Sequence, residues 1–547
     1  MHKQSTLVSA GLCAGLLAFA ALPAWAAWTL NDARTQLTDG NWTLTVTASG
    51  QDLTVTASAA TMGGDLDLTD VGRDTDGYRV TAIARTAFNK KGALITSVRA
   101  PDVAVIADGI NSDAAFLNCT ALTNVSFAAA TSVGHYAFSG CKALADISFP
   151  AATAIGSYAF DKTALTSLPP LPNLVSIGSF AFDGVKLKGA LSLPALETIG
   201  PYAFRNSAFS SLSAPALVSM GKNAFYGCAN LTDVEFGAAL STIGEGAFSN
   251  CAKLKTFQPL TLPGLTTLGP SAFTLNNVLE GDFVFPALET IGNGAFNCCY
   301  ALTSVRAPAA TKIGSQAFRW AYSVTNVEFS AAVTNIGSEA FITRSQYAQY
   351  LSRLETFAPT ALTNLDTIGT SAFNSCRLLT GDFDLPLVTN LPAGVFSGAR
   401  KITCVRAPQA SDVGASAFYN CTALTNVTLL GGGVLGNDSI RNVQSGAILR
   451  FFGEAPSSVL TNAITAASGN YPQIHVSRVR NLAGWTAARD DLAFTPLASV
   501  AAADEAKLGD SPPRRTLGLI TGLDTGNGIR AWLVDADTRK QTIISVQ

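Results

Sequence analysis

Apolar positions recur along this chain in a fixed order. Leu-x-x-Val-x-Phe comes first, then Ile or Val followed by Gly, then Ala-Phe. The stretch from Cys119 to Phe138, CTALTNVSFAAATSVGHYAF, shows one unit. CKALADISFPAATAIGSYAF from Cys141 and CANLTDVEFGAALSTIGEGAF from Cys228 repeat it. The closing phenylalanine falls at 88, 116, 138, 160, 182, 204, 225, 248, 273, 296, 318, 341, 373, 396 and 418, with a modal step of 22 residues. A fixed period of this length marks a repeat architecture, in which each unit is one small supersecondary element.

Within a unit, Val125 and Phe127 alternate with Asn124 and Ser126. That period of two predicts a short strand with the apolar pair on one face. Gly134 is expected to permit a bend that a Cβ would hinder. Ala137-Phe138 is expected to open a short helical or 3₁₀ turn with the ring inward. One unit has nothing of its own to pack against, so stacking in register is what buries its apolar set.

The unit L-x-x-V-x-F…I-G-x-x-A-F-x-x-C resembles the BspA-type leucine-rich repeats, over roughly residues 62–430. The resemblance implies an α/β, β-rich repeat fold: a curved right-handed solenoid of about 15 units with short strands on its concave face. It further implies a secreted or surface-displayed protein, bacterial in most cases, tied to adhesion and to binding host or extracellular proteins. The family offers no catalytic residues to carry over.

Outside the array the pattern changes. Residues 1–26 read as a secretory signal: Lys3, an apolar run from Leu7 to Leu22, and Ala24 and Ala26 at an A-x-A cleavage site. Cys13 follows Ala10-Gly11-Leu12, a poor lipobox. No later stretch is long and apolar enough to span a bilayer. Residues 27–61 read as an N-terminal cap, a hairpin pairing Leu44 and Val46 with Leu53 and Val55 around Ser49–Asp52. After Leu430 the period stops. Residues 431–500 read as a C-terminal cap and small β module, and 501–515 as a polar linker with Pro512-Pro513. Residues 516–547 read as a last hairpin around Asp524–Gly528, with a sorting role open. Two insertions interrupt the array, between Phe88 and Phe116 and after Phe341. In solenoids, insertions fall on loops of one face, often the binding face.

Composition narrows the function. Charged residues make up 14% of the chain, against about a quarter in ordinary globular proteins. The net charge is −2, or −3 once Lys3 is removed. Such a field favours neither nucleic acid nor an anionic membrane. Ten cysteines invite a disulfide or metal reading, but Cys119, Cys141, Cys228, Cys251, Cys299, Cys376 and Cys421 all sit three residues after the repeat Phe. Other units place Thr163, Val185, Ser207 or Ala321 there, so the position reads as a small buried slot. A ladder disulfide between neighbours such as Cys119 and Cys141 stays open in an oxidising compartment. Cys404 falls at a residue facing away from the core. Only His135 and His475 follow the signal, and neither shows an orienting partner for nucleophilic catalysis. Asp74-x-Asp76-Gly77 lacks the first and last ligands of a calcium loop. No catalytic, metal or cofactor site is expected.

Binding has two candidate locations. One is the polar row flanking the repeat Val: Ser97 and Arg99, Asn124 and Ser126, Asp146 and Ser148, Asp233 and Glu235, Ser304 and Arg306, Asn326 and Glu328, Asn426 and Thr428. The plainer reading is the solvated side of a sheet. The other is aromatic: Trp320 and Tyr322, with Tyr347 and Tyr350 in the adjacent insertion, expected to cluster on one edge as a platform that also suits sugar rings. The plainer alternative packs them beneath the insertion. The expected protein is a monomeric, exported adhesin or protein-binding scaffold whose partner is an extracellular or host protein. A glycan-capture protein using the aromatic patch and a purely structural envelope protein are the alternatives.

Overall fold

The computed structural model describes residues 27–60, 63–89, 94–343, 352–444 and 447–451, and five further strands at 458–459, 464–465, 473–476, 492–496 and 518–522. The expected signal segment, the linker at 501–515, Tyr347 and Tyr350 lie outside these residues.

The chain forms a β-solenoid of about 16 turns, with parallel stacked strands and almost no helix. Most turns contribute two short strands where the sequence suggests one. The Val strands pair in parallel register, as in Val98 to Val125 to Ile147. The second strand carries the residue before the repeat Gly. Val133, Ile155, Ile177, Ile199, Met220 and Ile243 follow one another in a second parallel ladder. A two-residue strand is too short to read as alternation, which is why the pattern hides it.

The Val-strand sheet breaks at three places, and proline explains each. Residues 165–172, Leu-Thr-Ser-Leu-Pro-Pro-Leu-Pro, form no strand between Asp146–Ser148 and Ala190–Ser192. Pro259 and Pro359 follow directly on Thr256–Gln258 and Thr356–Ala358, and pairing restarts at the next coil. Proline has no N–H to donate to the ladder.

The third side of each coil holds the Ala-Phe segment. It is a pair of tight turns rather than a helical or 3₁₀ turn. Ala137 N–H donates to the Gly134 carbonyl at 3.2 Å and Cys141 N–H to the Phe138 carbonyl at 3.2 Å. Tyr136 and Gly140 take left-handed φ values of 57° and 73°. The alternate N–H groups then point at the next coil: Tyr136, Phe138 and Gly140 donate to Ser157, Ala159 and Asp161 at 2.8, 2.9 and 3.0 Å. A helix would keep those donors inside the coil; here they join the coils together.

The repeat glycine serves close packing. At Gly156 and Gly178 φ is ordinary, and a Cβ would lie 2.6 Å from His135 N and 2.5 Å from Ser157 N of the preceding coil. The expected bend is real, but the constraint that demands glycine is backbone-to-backbone approach.

The core runs through the centre as one continuous cluster. All fifteen repeat phenylalanines are buried. Each ring stacks on the next, from Phe88 on Phe116 at 4.8 Å between centroids to Phe396 on Phe418 at 5.9 Å. At the N-terminus Trp42–Ser49 and Asp52–Ala60 pair antiparallel, and the second of these pairs in parallel with Arg79–Ile83. Trp28 and Trp42 are buried there, their indole N–H groups donating to the carbonyls of Asp67 and Asp65. At the other end stacking continues past Leu430, where the sequence period is lost. Asn426–Leu429 pairs with Ile448–Phe451, and that strand with Gln473–Val476. Leu492–Pro496 pairs antiparallel with Gly518–Gly522, so GLITG reaches back to an earlier strand. The remainder of the expected last hairpin lies outside the described residues.

Candidate binding surfaces

The Val strands bury Val125, Val234, Val305 and Val327 and turn their flanking residues outward. Register places equivalent residues side by side along this outer face: Asn124 beside Asp146, Asp233 beside Ser211 and Thr256, and Ser304 beside Asn326. Asp146, Asp233, Glu235 and Arg306 are exposed, and Asn124 and Glu328 are half-buried. Arg306 and Glu328 are register partners joined by a 3.0 Å ion pair. Both side chains are wet, so the pair orients charge more than it stabilises the fold. Ser97 and Thr428 are buried within the row.

Several carboxylates of this face are held in place by hydroxyls of the following coil. Asp282 accepts from Thr303 at 2.6 Å and from Ser304 at 2.8 Å, and Asp382 accepts from Thr403 at 2.6 Å. Asp65 accepts from Thr96 at 2.7 Å and Ser97 at 2.5 Å. The acids at 65, 282 and 382 escape the motif because their units depart from the L-x-x-V-x-F spelling. Aligning strand registers, rather than motif letters, is what finds them.

The expected aromatic cluster is arranged differently. Trp320 is half-buried with φ of 59°, and the Arg319 guanidinium lies 4.2 Å from its ring centroid. Tyr322 is buried, 7% exposed, with its ring 5.2 Å from that of Tyr300. Tyr322 is thus shielded from solvent beside Tyr300, outside the central core cluster. One face of the indole is covered by the Arg319 guanidinium. Tyr347 and Tyr350 lie outside the described residues.

A second aromatic feature stands elsewhere. Tyr136, Tyr158, Phe180 and Tyr202 occupy one position of successive coils, two residues before the repeat Phe, and all are half-buried. Their rings stack at 4.6, 4.7 and 4.6 Å. Arg205 lies over Phe180 and Tyr202 and grips Asp183 through two bonds of 2.7 and 2.6 Å. The sequence signal was the run HYAF, SYAF, SFAF, PYAF. The ring faces are consumed by their own stacking, so this ladder presents edges outward.

The ladder cysteines are chemically quiet. Cys119, Cys141, Cys228, Cys251, Cys299, Cys376 and Cys421 are buried thiols. Each donates to the carbonyl of the previous coil's repeat Phe at 3.0–3.4 Å, as Cys141 does to Phe116 at 3.1 Å. Burial pushes the Cys141, Cys251, Cys299 and Cys421 thiols up, and that of Cys376 to about 12. Cys298 takes a left-handed φ of 62° and turns its thiol to Asn297 Oδ1 at 3.4 Å. Cys404 alone among the described cysteines is partly exposed, on the outer face of the Val-strand sheet.

His135 is a corner piece. Its Nδ1 accepts the Ser157 backbone N–H at 2.7 Å, a task done by Asn293 Oδ1 for Ser315 in another coil. Asp74 bonds Trp28 N–H at 3.0 Å and Arg73 at 2.9 Å, which commits it to the N-terminal cap. Among the described residues no group of His, Cys, Asp and Glu is arranged to hold a metal. Among them, too, no helix is long and apolar enough to cross a membrane.

The model of the BspA type leucine rich repeat region matches residues 109–220, 153–280, 197–322, 266–383 and 342–445. These matches run over more than half the chain. A leucine-rich repeat protein of Bacteroides ovatus is similar at 22% identity, covering 71% of this chain and 92% of that one, with a TM-score of 0.42. A leucine rich cell surface protein of Faecalibacterium prausnitzii is similar at 22% identity, covering 72% and 95%, with a TM-score of 0.35. No curated protein matches the sequence.

Proposed function

The chain belongs to the BspA-type leucine-rich repeat family, and on that premise we propose that it is an exported, surface-displayed scaffold. It binds an extracellular or host protein through the outer face of its Val-strand sheet and carries out no catalysis. The observation that carries this reading is the in-register polar row, with Asp146, Asp233, Glu235 and Arg306 exposed upon it. Groups spaced by stacked strands recur about every 4.8 Å. Acids clamped by neighbouring hydroxyls are already oriented, so binding orders little that is not ordered beforehand.

The test is binding of the purified protein to immobilised matrix proteins and glycans. Asp233→Ala/Glu235→Ala/Arg306→Ala and Trp320→Ala serve as paired variants. The triple variant is expected to lose protein binding while Trp320→Ala retains it. Glycan binding that vanishes in Trp320→Ala would replace this reading with glycan capture. Silence of the parent protein on every surface would leave a structural role in the envelope.

A further inference from the structure

The array carries a period longer than one coil. Gly281-Asp282-Phe283 and Ser304-Val305-Arg306-Ala307-Pro308 return 100 residues on as Gly381-Asp382-Phe383 and Cys404-Val405-Arg406-Ala407-Pro408. Gly64-Asp65-Leu66 and Ser97-Val98-Arg99-Ala100-Pro101 are an earlier copy. The Val strands place all three alike. Asp65, Ser97 and Asn124 are register partners on successive strands, as are Asp282, Ser304 and Asn326, and Asp382, Cys404 and Asn426. In each copy an exposed arginine, Arg99, Arg306 or Arg406, lies two residues along the middle strand.

Each aspartate is held the same way. Its Oδ1 accepts a threonine hydroxyl from the next strand: Thr96 at 2.7 Å, Thr303 at 2.6 Å and Thr403 at 2.6 Å. Among the described residues none of these three acids forms an ion pair, and none accepts a hydrogen bond at Oδ2. Neutral hydroxyls orient a carboxylate without cancelling its charge, and acceptor positions are left over. Two of the arginines pair with acids of their own row, Arg306 with Glu328 at 3.0 Å and Arg406 with Asp384 at 3.7 Å. Such wet pairs are weak, so they place the guanidinium without closing it to a partner's carboxylate. The third copy opens on a depression of about 340 Å³ lined by Asp382, Thr403, Arg406 and Asn426. A fourth equivalent place lacks both charges: there Ala190 partners Ser211, and Ser213 stands where the arginine would. Ala190 lies four coils before Asp282, and Asp382 four coils after it. Four coils span about 19 Å.

We propose that Asp65, Asp282 and Asp382 are three equivalent subsites, each taking one lysine or arginine side chain of an extended partner protein segment. The arginine of the same copy takes an acidic side chain two residues away in that segment. Two residues of extended chain span about 6.8 Å, the offset along the strands between the aspartate and arginine rows. The partner therefore alternates cation and anion, Lys-x-Asp in its simplest form, and repeats that unit at a step of about 19 Å. Carboxylates ordered beforehand reduce the entropy lost on docking, and linked units engage the copies together. The inference rests on the reading that the Val-strand face is the protein-binding surface.

The experiment titrates the purified full chain into labelled synthetic peptides and reads fluorescence anisotropy. The probes hold one, two or three Lys-Thr-Asp units, joined by Gly/Ser linkers of about 12 residues to match the step. The two-unit peptide is expected to bind at least tenfold more tightly than the one-unit peptide. Asp282→Asn/Asp382→Asn keeps the acceptor for each threonine, and is expected to reduce two-unit binding to the one-unit level. Ala190→Asp/Ser213→Arg is expected to tighten binding of the three-unit peptide by installing the missing copy. Two-unit binding that is absent from the parent, or unchanged in Asp282→Asn/Asp382→Asn, overturns the subsites. Lys-Thr-Lys peptides, more cationic but without the acid, are expected to bind less tightly; equal or tighter binding overturns the part given to the arginines. Capture of an immobilised matrix protein, lost in Asp233→Ala/Glu235→Ala/Arg306→Ala, separates the two failures. If that capture persists while the peptides fail, the subsites fall and the wider reading stands; if the parent captures nothing, both fall.

Discussion

Cys141 Sγ donates to the carbonyl of Phe116, one coil back, at 3.1 Å in the buried core. The bond closes a carbonyl between two stacked turns. Cys141→Ala removes this donor while the carbonyl keeps the Cys119 N–H at 3.1 Å, so the loss is one weak bond and the packing of the sulfur, about 1 kcal/mol. Cys141→Ser keeps a donor and is expected to recover part of it. Denaturant unfolding of the three proteins checks the order. Because the bond needs a reduced thiol, reductant is expected to leave the melting temperature unchanged, and a large shift would restore the ladder-disulfide reading.

The buried thiols also set a pH limit. Burial pushes Cys376 from 9.0 to about 12. A folded pKa above the unfolded one means stability fully present below pH 9 and lost as pH rises towards 12. The slope is about 1.4 kcal/mol per pH unit for one thiol. Val185 fills the same slot in another coil, buried without a thiol. Cys376→Val is therefore expected to flatten the fall in stability between pH 9 and 12, read as melting temperature against pH. An unchanged slope would mean that this thiol ionises without unfolding its coil.

The stacked architecture was legible because its strongest signal is long-range and redundant. Fifteen phenylalanines at one spacing specify stacking whatever happens in a single unit. The second strand was not legible, since two residues such as Ser132–Val133 carry no period. The paired left-handed turns were hidden for another reason. Tyr136, Lys162 and Trp320 are not residues that announce positive φ, although Asn223 in the place of Tyr136, and Asn118, Asn206, Gly227 and Asn250 in the place of the other two, do. The polar row was readable from alternation. The orientation of Tyr322 was not, because an aromatic outside the repeat pattern gives no clue to the face on which it lands.

Repeat glycines differ in kind, and alanine separates them. At Gly178 a Cβ would meet Ser157 N at 2.5 Å and Gly156 C at 2.7 Å, all backbone. Gly178→Ala is expected to prise adjacent coils apart and cost more than 1 kcal/mol, in the range of about 1–3 kcal/mol seen for overpacking. Gly184 has φ of 71° with nothing within 4 Å of a Cβ. There alanine meets only left-handed backbone strain, about 1 kcal/mol. Urea titrations of the two variants are expected to rank Gly178→Ala as the less stable. The reverse order would mean that the coils yield more readily than the backbone torsion.

Tyr158 allows an inversion of the usual glycine penalty. Its φ is 58°, where a bulky side chain is strained, and its ring is stacked between Tyr136 at 4.6 Å and Phe180 at 4.7 Å. Tyr158→Ala loses both stacks but keeps the torsional strain. Tyr158→Gly loses the same stacks and releases the strain, as Gly246 and Gly294 do at the equivalent place in later coils with φ of 60° and 61°. Glycine in regular structure ordinarily costs about 0.5–1 kcal/mol relative to alanine. Here Tyr158→Gly is expected to be the more stable of the two by about 1 kcal/mol, because alanine at positive φ carries a penalty that glycine avoids. Thermal unfolding of both variants beside the parent decides it. Alanine ranking above glycine would show that the turn relaxes out of the left-handed region once the ring is gone, and that the aromatic stack holds the backbone in its strained form.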